Sequence, residues 1–135
     1  MMSRVLLAVA VVFLMGAAAR AQDPVKVDPQ HYKVETENAQ VRVLRIHYGP
    51  HEKSVMHRHP NAVVVFLTDA HMKFTTPDGK SVENTGKAGE ARWTPAGAHL
   101  PENLSDQPMD AVLTELKSKA VAKPKVAAKP VAKPA

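Results

Sequence analysis

Between His31 and Lys117 the apolar residues recur mostly at every second position, in short runs separated by Gly, Pro, Asp and Asn. That period places successive side chains on opposite faces of an extended chain, so each run reads as a strand. The runs are His31–Glu37, Ala39–Gly49, Ser54–His59, Ala62–Thr68, His71–Thr76, Ser81–Thr85, Glu90–Thr94, a short run from His99, and Asp110–Lys117. In the second run the apolar parity switches between Val43 and Leu44, which predicts a bulge or burial on both faces. "AVVVFLT" is β-branched and aromatic and predicts a central strand. "PDGK" (Pro77–Lys80) joins two extended runs through Asp-Gly, a hairpin signal because Gly79 can adopt the positive φ of such a turn. No stretch of helical length in this part holds a 3.6-residue period. The pattern predicts an all-β sandwich or barrel, and closure would protect the sheet edges of so small a unit.

Both ends break the pattern. Met1–Arg4 carries a positive charge, Val5–Ala19 is uninterruptedly apolar, and "ARA" ends at Ala21. This is the layout of a secretory signal peptide cleaved near Ala21, and a retained N-terminal anchor is the alternative. Residues 1–21 are therefore read apart from the domain, with a periplasmic or secreted location expected. Residues 119–135, "KAVAKPKVAAKPVAKPA", are low in complexity, and their prolines and repelling lysines predict a disordered tail. Such a tail is a solubilising tether or a contact for an anionic surface. One domain, residues 22–118, remains.

Composition sharpens this. The chain has 135 residues, a formal charge of +5 and no cysteine. An exported domain without disulfides depends on its hydrophobic core, helped or not by a metal. The positive charge belongs to the ends: residues 22–118 keep 11 of the 18 Lys and Arg but all 13 Asp and Glu. The domain is near neutral, with no basic face carrying interleaved aromatics, so nucleic-acid binding by it is not expected. A homodimer formed through an edge strand such as "HYKVETE" is.

The chemistry lies in the histidines. In "SVMHRH" the period of two puts His57 and His59 on one face and Arg58 on the other. Two imidazoles so placed can reach one ion at about 2.0–2.1 Å each. His99, at the start of a strand after the tight "TPAG" turn, is the candidate third ligand. Glu102, His47, Arg92 and Trp93 are candidates for the surrounding pocket. His31, His51 and His71 read as surface residues, with His51 also a candidate for the barrel mouth. Met56, Met72 and Met109 could serve copper, although methionine more commonly fills core gaps. Phe66 and Phe74 are expected to pack the interior.

The "HRH" motif followed by a strand, then Gly89, Pro95 and Gly97 in the spacing G-x5-P-x-G and His99 and Asn103 in H-x3-N, resemble the two motifs of the cupin superfamily. The resemblance spans roughly Gly49 to Asn103. It implies an all-β jelly-roll barrel with a metal pocket inside. The family's motifs usually supply three histidines and one glutamate to a divalent metal, and the histidines match His57, His59 and His99. The sequence departs from the pattern at three places. Gly49 to His57 is longer than usual, only Ala98 separates Gly97 from His99, and the glutamate position falls on Val63 or Val64. The resemblance thus implies a neutral three-histidine site, as in some dioxygenases similar to cupins, with Glu102 as the one nearby substitute. The metal could be Fe, Zn, Mn, Ni or Cu. Two functions follow: a metal-dependent dioxygenase or isomerase acting on a small molecule, or a non-catalytic module that binds a small ligand or metal. No Gly-rich phosphate loop and no serine or cysteine nucleophile arrangement is present.

Overall fold

The chain folds into nine strands in two antiparallel sheets packed face to face, seen in a computed structural model that describes residues 22–118. The apolar leader and the Lys/Pro tail, with the export and tether readings attached to them, lie outside the described residues. In chain order the elements are a one-turn helix α1 (Pro24–Val27) and strands β1 (Tyr32–Glu37), β2 (Val41–Tyr48), β3 (His57–His59), β4 (Ala62–Phe66), β5 (Ala70–Thr75), β6 (Ser81–Gly86), β7 (Ala91–Thr94), β8 (Gly97–Asn103) and β9 (Met109–Leu116). One sheet has the order β1-β2-β9-β4-β7, the other β3-β8-β5-β6. This is the all-β architecture that the strand pattern predicts, in the jelly-roll form that the family resemblance implies. The helix was not anticipated. The Asp23 side chain accepts a hydrogen bond from Val25 N–H (3.1 Å) and Pro24 fills its first turn, which suffices for a single turn.

The core sits between the sheets. Leu44, Ile46 and Tyr48 of β2 face Ala111, Leu113 and Met109 of β9 in continuous register, with Tyr32, Ala62, Ala70 and Met72 completing it. Each large apolar side chain buried there contributes about 1.5–3 kcal/mol of transfer free energy. The parity switch in β2 is two-sided packing and not a bulge: Val41 and Val43 lie on the outer face and Leu44, Ile46 and Tyr48 on the inner, in an unbroken β2–β9 register. The bulge falls instead in β1, between Val34 and Thr36.

The turns follow their chemistry. Gly79 sits at φ +84° in the β5–β6 hairpin, where Thr76 N–H bonds to the Lys80 carbonyl at 2.8 Å. Gly86 faces the Phe66 ring so closely that a Cβ there would stand 2.7 Å from it. Asn103 is fully buried; its amide donates to the Gly49 and Gln107 carbonyls and its oxygen accepts from Ser105 N–H, tying the end of β8 to two loops.

Candidate metal centre

Strand pairing brings the three histidines together. β3 and β8 are antiparallel neighbours in which His57 lies opposite His99 and His59 opposite Gly97. The turn after Thr94, anchored by Ala96 N–H on the Asn61 side chain (2.8 Å), aligns β8 so that His99 meets the pair. His57 and His59 are buried, Arg58 is exposed, and His99 is half-buried. The ring centroids are 4.8 Å (His57–His59), 5.0 Å (His57–His99) and 5.3 Å (His59–His99) apart, and one nitrogen from each ring lies within 4.8 Å of the others.

The outer nitrogens set the tautomers. His57 Nδ1–H donates to the Val55 carbonyl at 2.8 Å. His59 Nδ1–H donates to Glu115 Oε1 at 2.6 Å. Neither acceptor can give a proton, so in the neutral rings both Nε2 atoms carry lone pairs. These two Nε2 atoms face one another at 3.0 Å. Two lone pairs at that distance repel unless a proton or a metal cation lies between them. Burial, followed by the neighbouring His59, pushes the His57 pKa down to about 4. Burial, then His59 and His57, pushes His99 down to about 3. His57 and His99 thus resist protonation, and a divalent cation held between the rings would satisfy the facing lone pairs. In a tetrahedral centre, nitrogens at about 2.1 Å from one ion are about 3.4 Å apart, so closing the widest pair from as much as 4.8 Å takes on the order of 1.4 Å of side-chain movement.

Behind His59 stands a charged chain that the sequence did not disclose. Burial raises the Glu115 carboxyl pKa, but hydrogen bonds from His59 and Arg42 outweigh it and hold the group below its usual range. Arg42 donates through Nε to Glu115 (2.7 Å) and through both terminal nitrogens to Asp23 (2.7 and 3.0 Å). A carboxylate behind a ligating imidazole orients the ring and raises its basicity. On the other side, Ser54 Oγ stands 3.4 Å from His57 Nδ1 and donates to Asp28, whose carboxylate takes His31 Nδ1 at 2.7 Å. His31 Nε2 meets Glu52 at 2.7 Å.

The other candidates are placed as follows. Glu102 does not face the centre. β8 keeps strict alternation through Pro101, so Glu102 points to the outer face and pairs with Lys73 at 2.7 Å. His47 lies on the outer face of β2, exposed and paired with Asp110 at 2.8 Å. Trp93 is not core: it is 54% exposed on β7 opposite Val63, and borders only a cavity at the barrel's side. Arg92 borders that same side cavity, 5.4 Å from the Phe66 ring, bonded to Glu90 and the Thr85 carbonyl. His31 is buried, against expectation, because its ring stacks on Tyr48 (4.3 Å) between two carboxylates. His51 and His71 are exposed or half-exposed, with acidic partners Asp106 and Glu83. Met72 and Met109 are buried in the cavity wall beside the histidines, and Phe66 and Phe74 pack against the core.

A cavity of about 90 Å³ adjoins His59 and His99 between the sheets, bounded by Tyr32, Val64, Phe66, Met72, Phe74 and Leu113 among others. Tyr32 and Tyr48 both line it, and their hydroxyls share a 2.7 Å hydrogen bond. Val64, one of the two positions where the family pattern has glutamate, is part of this wall.

A jelly roll holding three inward imidazoles defines a class, and comparison with solved structures agrees. A cupin domain from Bordetella pertussis Tohama I is 30% identical, with a TM-score of 0.60 over 64% of this chain and 92% of that one. An uncharacterized conserved protein with a double-stranded β-helix domain from Klebsiella pneumoniae is 19% identical over 65% of this chain and 84% of that one, at a TM-score of 0.50. An RmlC-like cupin family protein with the same fold from Methanocaldococcus jannaschii is 16% identical over 66% and 83%, also at 0.50. The chain belongs to the cupin superfamily. No protein-family model matches the sequence, and no curated protein matches it.

Proposed function

We propose that this protein is an exported metalloprotein in which His57, His59 and His99 hold one divalent cation, and that it oxidises a small molecule bound in the adjoining cavity, with dioxygen as co-reactant. The observation that carries the reading is the pair of facing Nε2 lone pairs, 3.0 Å apart, whose outer nitrogens are already committed to acceptors. A three-histidine site leaves positions open for substrate and for oxygen, which is the chemistry a bound iron would supply. The chain's own residues fix the two imidazoles through Val55 and Glu115, exclude water with an apolar wall, and offer the Tyr32 and Tyr48 hydroxyls as hydrogen-bonding groups. No carboxylate among the described residues borders the cavity. Reactions that need a positioned carboxylate base, including many isomerisations and hydrolyses, are served less well than dioxygen insertion. Export is proposed from the charged start, apolar run and Ala-x-Ala end of residues 1–21.

The same lack of acid–base groups favours a second reading, a non-catalytic module that holds a ligand against the metal. Elemental analysis of protein purified from its own compartment, followed by oxygen uptake with a panel of small thiols, diketones and organic acids, decides between them. Stoichiometric iron with substrate-dependent oxygen consumption supports the enzyme. Ligand binding without turnover supports the module, and a protein with no divalent metal overturns both.

A further inference from the structure

We infer that the molecule held beside the three imidazoles has a small, uncharged, chiefly apolar body with a single oxygen or sulfur donor, and that it enters through the gap between β6 and β7. The inference rests on the metal reading above and concerns what the cavity admits.

Among the described residues no Lys, Arg, Asp or Glu borders the inner cavity; Val64, Phe66, Met72, Phe74, Ala111 and Leu113 form most of its wall. An anionic body there would lose its hydration with no protein cation to replace it, so a second carboxylate or a phosphate is rejected. The hydrogen-bonding capacity is small. The Tyr32 and Tyr48 hydroxyls share one hydrogen bond at 2.7 Å, which leaves a single O–H donor between them, too few partners for a sugar-like molecule. Size restricts the ligand further. At about 90 Å³ the cavity is smaller than the ~150 Å³ cavities that accept benzene, so a body smaller than benzene fits.

The way in is set by the sheet edges. β6 and β7 are the last strands of their respective sheets. A second cavity of about 200 Å³ shares Val64, Phe66, Met72, Phe74 and Thr94 with the inner one, and is bounded on its outer side by Asn84 of β6 and Arg92 and Trp93 of β7. Among the described residues the only formal charge along this path is the Arg92 guanidinium, and Glu90 neutralises it. The portal therefore does not select for anions.

Full-length protein loaded with Co(II) tests this with two thiols, because a bound sulfur adds an intense charge-transfer band to the cobalt spectrum. The probes are 1-butanethiol, with an apolar body, and 2-mercaptoethanesulfonate, whose sulfonate is too weak a donor to chelate. Butanethiol is expected to bind at least 10-fold more tightly. Ala111→Phe fills the inner cavity and is expected to weaken butanethiol at least 10-fold while Co(II) uptake is unchanged; Val64→Phe serves if that variant does not fold. Equal or tighter binding of the sulfonate, or butanethiol binding unaffected by a folded cavity-filling variant, overturns the inference with the metal reading intact. Absence of Co(II) uptake by the wild-type chain overturns the metal reading and the donor assignment with it. In that case xenon binding to the metal-free protein, read by 129Xe chemical shift and lost in Ala111→Phe, supports the apolar cavity on its own, and its absence overturns that too.

Discussion

Glu115 Oε1 lies 2.6 Å from Nδ1 of His59, joining residues 56 positions apart across the two sheets. The carboxylate that the family pattern places on the metal stands here one imidazole further out. Its charge acts through the ring: it fixes the tautomer, increases the donor strength of Nε2, and is itself held by Arg42 at 2.7 Å.

Glu115→Gln keeps the shape and removes the charge. Metal affinity is expected to fall about 10–100-fold, the usual effect of losing such a carboxylate. Competition with a chromophoric chelator measures it, and a change below about threefold would refute the role given to Glu115.

The metal-free protein is expected to lose stability as pH falls from about 6.5 toward the folded-state values of about 4 for His57 and 3 for His99. The sign follows from linkage. Both folded pKa values are depressed, so the unfolded chain binds more protons throughout that window and acid favours unfolding. Each histidine contributes a slope of up to about 1.4 kcal/mol per pH unit. Urea titrations between pH 5 and 6.5, above the range of most carboxylates, read this directly. A flat profile there would contradict the depressed values.

His57→Ala and His99→Ala are each expected to abolish stoichiometric metal, because either leaves two imidazoles where three converge. His71→Ala, on a half-exposed site paired with Glu83 at 2.9 Å, is expected to leave occupancy unchanged. Elemental analysis of the three variants side by side is sufficient. Equal occupancy in all of them would remove the centre as drawn.

Gly86→Ala forces a methyl group to within 2.7 Å of the Phe66 ring. Overpacking of this kind costs about 1–3 kcal/mol and would push Phe66 into the cavity it lines. The midpoint of urea unfolding measures the first effect. A shift worth less than about 0.5 kcal/mol would mean that the ring has room to yield.

The strand period was enough to place His57 and His59 on one face, because alternation is a local property. His99 was legible through its turn, and Gly79 through its hairpin. Glu115 was not, since its role depends on which strand lies opposite His59, and pairing between distant strands leaves no local mark. A clue was present nonetheless. Glu115 shares the parity of Met109, Ala111 and Leu113, and a carboxylate on an apolar face needs a buried partner. His31 was missed for a related reason: Asp28, three residues before it, is a local partner, but Glu52 and the stacking Tyr48 ring meet it only when β2 and the loop beyond it pack against the start of β1. The parity switch in β2 signalled apolar side chains on both faces, but could not say whether a bulge or two-sided packing produced it. Trp93 was a pocket candidate, and its place on the edge strand β7 leaves it half exposed beside the outer cavity and away from the histidines.

All three candidate ligand rings ride on β3 and β8, adjacent strands of one sheet, whereas Val64, Phe66, Ala111 and Leu113 across the cavity belong to the other. The imidazole cluster and the vessel beside it are thus built by separate parts of the barrel, with Glu115 as a tether between them. Drift in the far wall can reshape the vessel without disturbing the cluster, so the two can evolve independently.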